Sequence, residues 1–265
     1  MSVADFYPLI AADVGNRRVK LGRFEPIVAQ GLPTPAGTLS VAGEAADFPQ
    51  IGQWLSDTGP RRASWWISSV NRPTASRLID WIRSEQPDAP ITLLASGDLP
   101  LVVGLNRPDM VGVDRLVDAV AVNRLRDPGR PAVVVDIGSA ITVDAISREG
   151  VFLGGAIAPG LTMSAQALHT FTDLLPLIEM AELIAPPEPI GAITTEAMRA
   201  GLYWGAVGTI RELMARQAER LGGAVQTFLT GGGGPAVAAL LGSDVQHIPH
   251  LTLAGIALTA AAMQE

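Results

Sequence analysis

Short apolar runs that end in an acidic residue and a glycine occur twice along the chain, and each predicts the same local structure. In the first half, Pro8–Asp13 is apolar up to its terminal carboxylate, and the alternating stretch Arg18–Phe24 follows it. In the second half, Ala132–Asp136 is followed in the same way by Ala140–Ile146. Each pair is typical of a buried strand, a tight glycine turn and a second strand.

The rest of the pattern predicts further strands and helices in alternation. Ala63–Val70 is strand-like, and Val225–Leu229 is a strand that runs into the turn Thr230–Gly234. Apolar residues at helical spacing predict helices over Pro73–Ser84, Val113–Leu125, Thr194–Arg220, Pro235–Leu241 and Leu251–Met263. The break at Asp127-Pro128-Gly129 predicts a domain boundary, with one domain over residues 1–127 and another over 128–265.

The two strand–turn–strand units match residue by residue. Ala12-Asp13-Val14-Gly15-Asn16 aligns with Val135-Asp136-Ile137-Gly138-Ser139, and the offset of 123 residues (136 − 13) is close to half of the 265-residue chain. A match at this spacing favours a duplicated α/β domain over coincidence.

Composition narrows the function classes. Hydrophobic residues make up 48% of the chain and charged residues only 17%, which suggests that some apolar surface is covered by a partner subunit, although an Ala/Leu/Gly-rich composition alone explains it equally well. The net charge of −7 argues against nucleic acid and anionic membranes as partners. Without cysteine there are no disulfides and no thiolate chemistry. Because Met1–Pro8 lacks a targeting pattern, we expect a cytoplasmic protein.

The two Asp-Gly turns have the chemistry of a phosphate site. A carboxylate at a strand end can hold hydrated Mg²⁺, and the N–H groups of a glycine turn can cradle a phosphate, with Arg18 and Lys20 close behind the first turn. Most single turns of this kind are purely structural. Two of them facing each other across a cleft would clamp the phosphates of a nucleotide, and phosphoryl transfer needs little more than that.

Two other motifs allow both a structural and a functional interpretation. The glycine run Gly231–Gly234 suits close approach of a ribose or base, and alternatively is a flexible turn. Asp114, in Gly112-Val113-Asp114-Arg115, lies at a predicted helix start, where capping is the commoner role. It could instead accept a substrate hydroxyl proton while Arg115 binds a carboxylate. The three histidines have no mutual spacing that suggests a triad and are interpreted as structural or surface groups.

With these motifs assembled, the chain resembles the type III pantothenate kinases from about Ile10 to Ala261. The resemblance rests on Asp13-Val14-Gly15-Asn16, Pro108-x-x-Val111-Gly112-x-Asp114-Arg115, Asp136-x-Gly138-Ser139-Ala140-x-Thr142-x-Asp144, Gly154-Gly155-x-Ile157-x-Pro159-Gly160, Thr172-x-x-Leu175-Pro176, Gly191-x-x-Thr194 and Thr230-Gly231-Gly232.

The resemblance implies a fold and an activity. The fold would be a pair of ribonuclease-H-like domains of the actin-like ATPase superfamily, with a nucleotide cleft between them. The activity would be ATP-dependent phosphorylation of pantothenate to 4′-phosphopantothenate, the first step of coenzyme A synthesis. It would require Mg²⁺ and a monovalent cation, K⁺ or NH₄⁺. The protein would be a homodimer with the acceptor site at the subunit interface.

The resemblance also implies a role for individual residues. Asp114 would be the base that takes the proton of the pantothenate hydroxyl, Asp136 would hold the monovalent cation, and Asp13 would hold Mg²⁺, in part through water. ATP would be bound by Asp13, Val14, Gly15, Asn16, Arg17, Arg18, Val19, Lys20, Ser139, Gly231 and Gly232. Pantothenate would be bound by Gly112, Val113, Asp114, Arg115 and Thr194.

Three departures from the family pattern keep two alternatives open. Arg17 and Ile141 stand where the family has threonine, and Asp173 stands where alanine is usual. These changes motivate a catalytically weak pantothenate-kinase-like regulatory or binding protein as the first alternative. A kinase of the same superfamily that acts on another small hydroxyl acceptor is the second.

Overall fold

A computed structural model describes residues 8–26, 31–44, 47–58 and 63–264. Residues 1–7, on which the cytoplasmic expectation mainly rested, lie outside the described residues. Within the described residues, no helix is both long enough and apolar enough to span a bilayer.

Strands and helices alternate along much of the described chain. The strands are β1 Leu9–Val14, β2 Arg18–Phe24, β3 Gly37–Ala42, β4 Ser64–Ser69, β5 Ile91–Leu93, β6 Ala132–Ile137, β7 Ala140–Ile146, β8 Phe152–Pro159, β9 Gln226–Thr230 and β10 Val245–His247. The helices are α1 Pro49–Thr58, α2 Arg72–Glu85, α3 Val113–Leu125, α4 Leu161–Thr170, α5 Thr194–Arg220, α6 Gly234–Leu241 and α7 Leu251–Ala262.

The chain forms two compact units, each built on one five-stranded sheet. The first comprises Met1–Val102, Asn106–Leu125 and His250–Glu265, and the second comprises Val103–Leu105 and Arg126–Pro249. The closing helix α7 therefore belongs with the first sheet, whereas the sequence-based division placed residues 128–265 together. As a division into domains, the boundary after residue 127 stays a prediction.

The two sheets have the same topology. The first has the order β3-β2-β1-β4-β5, in which β1, β2 and β3 are antiparallel and β4 and β5 run parallel to β1. The second has the order β10-β9-β6-β7-β8, with β6, β7 and β8 antiparallel and β9 and β10 parallel to β6. The predicted α/β duplication is confirmed, because the strands that carry Asp13 and Asp136 occupy equivalent places.

Burial explains why the first apolar run forms a central strand. All six residues of β1 are buried, because α1 and α2 cover one face of the sheet while α3 and α7 cover the other. The two helices on the second face touch closely: a Cβ on Gly255 would lie 2.0 Å from the Val117 carbonyl oxygen. Only glycine therefore lets α7 pack there, which fixes this helix on the first sheet.

The second sheet is packed on one face by α4, α5 and α6. Its core includes Val133, Val135 and Val143 from the strands and Tyr203 from α5. The residues that alternate with these valines project from the opposite face. Asp136 and Thr142 are among them, so the sheet separates its apolar core from its candidate chemistry.

Candidate active site

In the first unit, a row of three polar side chains crosses the sheet where β1 ends. Asp13 is in register with Lys20 on β2 and with Ser68 on β4, so the three project from one face. Lys20 Nζ lies 3.7 Å from Asp13 Oδ2. Asp13 is 8% exposed and Ser68 is fully buried. We call Lys20, Asp13 and Ser68 the first row.

The start of α3 brings Asp114 to the same face of the sheet. Gly112 packs against the end of β4, because a Cβ on it would lie 3.3 Å from Val70 Cγ1 and 2.5 Å from Asp114 Oδ1. A side chain at position 112 would therefore displace the Asp114 carboxylate. Asp114 Oδ1 accepts a hydrogen bond of 2.8 Å from the Arg115 backbone N–H, which also donates to the Gly112 carbonyl at 3.2 Å.

The environment of Asp114 favours its neutral form. Burial raises the pKa of this carboxyl group, and the Arg115 N–H and the charges of Arg115 and Lys20 oppose the rise only in part. A carboxylate whose pKa is raised by burial is a stronger proton acceptor than an exposed one. The contribution of Lys20 also shows that the Asp114 carboxyl lies within the field of the first row.

The start of α7 brings His250 towards the same lysine. Leu253, three residues into the helix, packs at Gly22 on β2, two residues from Lys20 on the same face. Burial, and after it the Lys20 charge, lowers the pKa of His250. Among the described residues other than glycine, His250 alone has a positive φ, of 60°. His250 is exposed, in keeping with the interpretation of the histidines as structural or surface groups. Its place near Lys20 was not predicted, because a histidine beside a lysine across the fold leaves no local signal.

The second unit contains a matching row. Asp136 on β6 is in register with Thr142 on β7 and Thr230 on β9. These three residues, the second row, project from the face opposite the valine core. Asp136 and Thr142 are half-buried, and Thr230 is buried.

Glycines from two turns shape the surroundings of Asp136. A Cβ on Gly231 would lie 2.2 Å from Asp136 Oδ1, and one on Gly138 would lie 3.8 Å from Asp136 Oδ2. Gly231 also has a φ of +91°, which side chains rarely adopt. The glycine run is therefore more than a flexible turn at this position: its backbone packs directly on Asp136 Oδ1, which is buried, and no side chain fits there. With the hydroxyls of Thr142 and Thr230, the row offers the oxygen ligands that suit a hard cation.

The turn that contains Gly138 and Ser139 packs against a further glycine, Gly160. The Gly160 N–H donates a 3.1 Å hydrogen bond to the Ser139 carbonyl, and a Cβ on Gly160 would lie 2.5 Å from the Gly138 carbonyl oxygen. The motif Gly154–Gly160 covers most of β8 and the residue before α4. It fixes the turn that contains Ser139.

The predicted ATP-binding residues of the first turn fall into two groups. Val14 and Val19 are fully buried in the core, so only their backbone groups remain available to a ligand. Asn16 and Arg17 are exposed. Arg18 Nε and Nη2 donate to Ser40 Oγ and to the Ser40 carbonyl at 2.8 and 3.0 Å, which directs the guanidinium onto β3.

Of the three departures from the family pattern, Ile141 lies on the core face of the second sheet and not on the face that carries Asp136. The Ile141 side chain is 1% exposed and packs in the second core, on the face opposite Thr142. Its apolar side chain is explained by this burial. Arg17 and Asp173 are exposed.

Thr194 lies in a groove on the second unit. The groove, of about 1040 Å³, runs between α4 and α5. Gly201 and Gly205 line it, and Cβ atoms on these glycines would meet nothing within 4 Å. Phe171 and Leu174, in the segment after α4, are each 85% exposed. Thr194 is therefore part of a largely apolar surface of the second unit, and the second row of the same unit is not among the residues that line it.

Comparison with known proteins places the chain in a family. The family model for type III pantothenate kinase matches residues 9–216. A type III pantothenate kinase from Moorella thermoacetica is 39% identical over 257 residues, covering 94% of this chain and 96% of its own. One from Dehalococcoides mccartyi is 35% identical over 255 residues, covering 94% and 95%. The chain belongs to the type III pantothenate kinase family.

Solved structures agree with the fold of this type III pantothenate kinase family member. A Baf family protein from Campylobacter jejuni superposes with a TM-score of 0.60 at 18% identity, covering 96% of this chain and 98% of its own. The ethanolamine utilization protein EutJ from Carboxydothermus hydrogenoformans gives 0.53 at 17% identity, covering 97% and 93%. At these identities the likeness concerns the fold alone, which is the duplicated α/β architecture predicted from the sequence.

Proposed function

We propose that the protein transfers the γ-phosphoryl group of ATP to the primary hydroxyl of pantothenate, giving 4′-phosphopantothenate and ADP. The observation that carries the proposal is the convergence of Asp114, with its raised pKa, on the Lys20–Asp13 pair within a member of the pantothenate kinase family. ATP is a cytoplasmic substrate, so we also propose a cytoplasmic location.

The first row suits a phosphate and its Mg²⁺. Mg²⁺ is commonly held by one or two carboxylates together with phosphates and water, and Asp13 offers one such carboxylate. No group of three or more metal-binding side chains was found in the described part of the chain, so an all-protein cage is not the arrangement to expect there. Mg²⁺ would neutralise charge on the transferring phosphoryl group, while Lys20 and the backbone N–H groups of residues 13–20 would hold its oxygens.

In this proposal Asp114 is the general base. Its carboxylate accepts the proton of the pantothenate hydroxyl as the oxygen attacks phosphorus, and the bond to the ADP oxygen breaks. Arg115 follows directly and would pair with the pantothenate carboxylate, while Gly112 and Val113 would line the pocket. Thr194 would contact the substrate from the groove. Ser139, Gly231 and Gly232 would contact the nucleotide.

The second row suits a monovalent cation. Asp136 supplies the charge, Thr142 and Thr230 supply neighbouring hydroxyls, and Gly138 leaves room beside Asp136 Oδ2, where even a Cβ on it would lie 3.8 Å away. We propose that K⁺ or NH₄⁺ binds there and offsets negative charge near the phosphates.

The groove on α5 suits a second copy of the chain. An exposed stripe of glycines, Gly201, Gly205 and Gly208, lies on this helix, and large apolar side chains are exposed nearby. Small residues permit close helix approach, and an apolar surface of this kind is typical of a permanent interface. We propose a homodimer that uses this face.

A coupled assay of ADP release across acceptors tests the proposed reaction. We expect turnover with pantothenate, a rise with potassium or ammonium, and little turnover with glycerol or simple sugars. Turnover with another small hydroxyl compound but not with pantothenate would favour the second alternative. Binding of pantothenate without turnover would favour the catalytically weak relative. Arg17 and Asp173 are both exposed, so burial in the core does not explain them as it explains Ile141.

A further inference from the structure

The two rows are built alike except at one position. In each hairpin the aspartate comes one residue before the last cross-strand pair. That pair is Val14 with Val19 after Asp13, and Ile137 with Ile141 after Asp136. On the parallel neighbouring strand both rows carry a hydroxyl, from Ser68 and Thr230. On the antiparallel neighbour the first row carries Lys20 and the second carries Thr142.

Lys20 is unusual in this chain. It is the only lysine among the 19 basic residues, so arginine fills every other basic position. Its ammonium group lies 3.7 Å from Asp13 Oδ2. An ammonium is a compact point charge, whereas a guanidinium is a broad planar fork that would fill the row. A compact positive charge, rather than a guanidinium, therefore fits beside Asp13 at position 20.

We propose that Lys20 is the tethered counterpart of the monovalent cation at Asp136, and that Thr142 is the residue that makes the second row depend on an ion from solution. The ammonium of Lys20 neutralises the Asp13 carboxylate, as a free K⁺ or NH₄⁺ neutralises the Asp136 carboxylate. This inference rests on the proposed cation site.

The strand register indicates that a lysine in place of Thr142 could reach the Asp136 carboxylate. Because Thr142 stands at the Lys20 position, a lysine there would start from the equivalent backbone point and reach towards the equivalent carboxylate. Thr142 is half-buried, as Lys20 is, so a longer side chain has a route along the surface. Gly138 leaves room beside Asp136 Oδ2, because even a Cβ on it would lie 3.8 Å from that oxygen, whereas Oδ1 is buried against Gly231.

A bound ion stabilises the folded protein by mass action, so stability reports on the ion without any catalytic turnover. We would measure the unfolding midpoint in potassium chloride against tetramethylammonium chloride, an ion too large for the row, at equal ionic strength. For the wild type we expect a saturable rise of roughly 3–6 °C when potassium is present at about ten times the Kd of the site, as mass action predicts for a chain of this size.

The variant Thr142→Lys should lose this response. Its midpoint in tetramethylammonium should equal or exceed the wild-type midpoint in potassium, and its ADP release should no longer need potassium. Thr142→Met is the matched control, because it is long and unbranched but uncharged. It should lose the potassium response without gaining stability. A wild-type response to potassium in folded Thr142→Lys would overturn the inference.

The reverse variant Lys20→Thr keeps the inference testable if Thr142→Lys does not fold. It should acquire an added, saturable potassium or ammonium stabilisation beyond that of the wild type, and no such gain would overturn the inference. Absence of any potassium effect on wild-type stability would also overturn it. Kinase activity with pantothenate would survive that last result, so failure here is distinguishable from failure of the proposed reaction.

Discussion

The substitution Asp114→Asn separates a catalytic role for this carboxylate from a structural one. The asparagine Oδ1 can still accept the 2.8 Å hydrogen bond from the Arg115 N–H, so this contact in the first turn of α3 is kept. What is lost is the ability to accept a proton. General-base catalysis typically contributes ~10²–10⁴, so we expect kcat to fall at least about a hundredfold.

The same substitution should leave stability intact or raise it at neutral pH. Because burial raises the pKa of Asp114, the folded protein binds this proton more tightly than the unfolded chain, whose aspartate pKa is about 3.9. The contribution of this group to stability is therefore full below about pH 3.9 and falls as pH rises through the folded-state pKa. Each pKa unit is worth about 1.4 kcal/mol, and 1 kcal/mol moves the unfolding midpoint of a chain this size by roughly 2–4 °C.

Two measurements check this reasoning on one protein preparation. Steady-state ADP release gives kcat, and thermal unfolding between pH 4 and pH 8 gives the difference in midpoint from the wild type. That difference should be largest at neutral pH and shrink towards pH 4. Near-normal turnover in Asp114→Asn would remove the base from the mechanism. A midpoint that drops at neutral pH would show that Asp114 serves the fold instead.

Three further predictions concern the neighbouring features. Arg115→Ala should raise the KM for pantothenate more than it lowers kcat, because a substrate carboxylate loses its partner; an equal loss in both would contradict this. Asp136→Ala should abolish most of the potassium activation of ADP release, and equal activity of the wild type in sodium and potassium would count against the cation site. Gly205→Arg should convert a dimer to a monomer in light scattering, whereas Ala215→Arg, on an exposed part of α5 outside the groove, should not; a monomeric wild type at micromolar concentration would refute the interface.

Local pattern was sufficient for the elements that carry the candidate chemistry. Strands β2 and β7 and helices α3 and α5 have the predicted bounds, and the glycine turns lie where the sequence placed them. These segments have a strong period or are closed by an Asp-Gly turn, so neighbouring residues decide their structure.

Some of the missed elements lack such a signal, whereas α1 has apolar residues at helical spacing, Ile51, Trp54 and Leu55, that the sequence analysis overlooked. Strand β3 is short, with exposed Thr38 and Ser40 alternating with Leu39 and Val41, and β5 and β10 have three residues each. Such strands depend on pairing with a neighbour rather than on their own sequence. The placement of α7 on the first sheet depends on the contact between Gly255 and Val117, which are far apart in sequence.

The candidate site was predictable as a set of residues but not as an arrangement. The Asp-Gly turns and Asp114 stand out in the sequence, and the family resemblance supplied their roles. The pairing of Asp13 with Lys20 and the packing of Gly231 on Asp136 follow from strand register and turn geometry, which sequence alone does not fix. Ile141 was interpreted as a change in the nucleotide-binding motif, whereas its side chain is part of the second core.

Identification of the product tests the central claim most directly. The protein would be incubated with ATP, Mg²⁺, potassium and pantothenate, and the mixture analysed by ³¹P NMR and mass spectrometry. We predict a phosphate monoester on the primary hydroxyl of pantothenate, formed one for one with ADP and strongly reduced in Asp114→Asn. ADP released with inorganic phosphate and no pantothenate ester, or no ADP at all with folded protein, would contradict the proposed function.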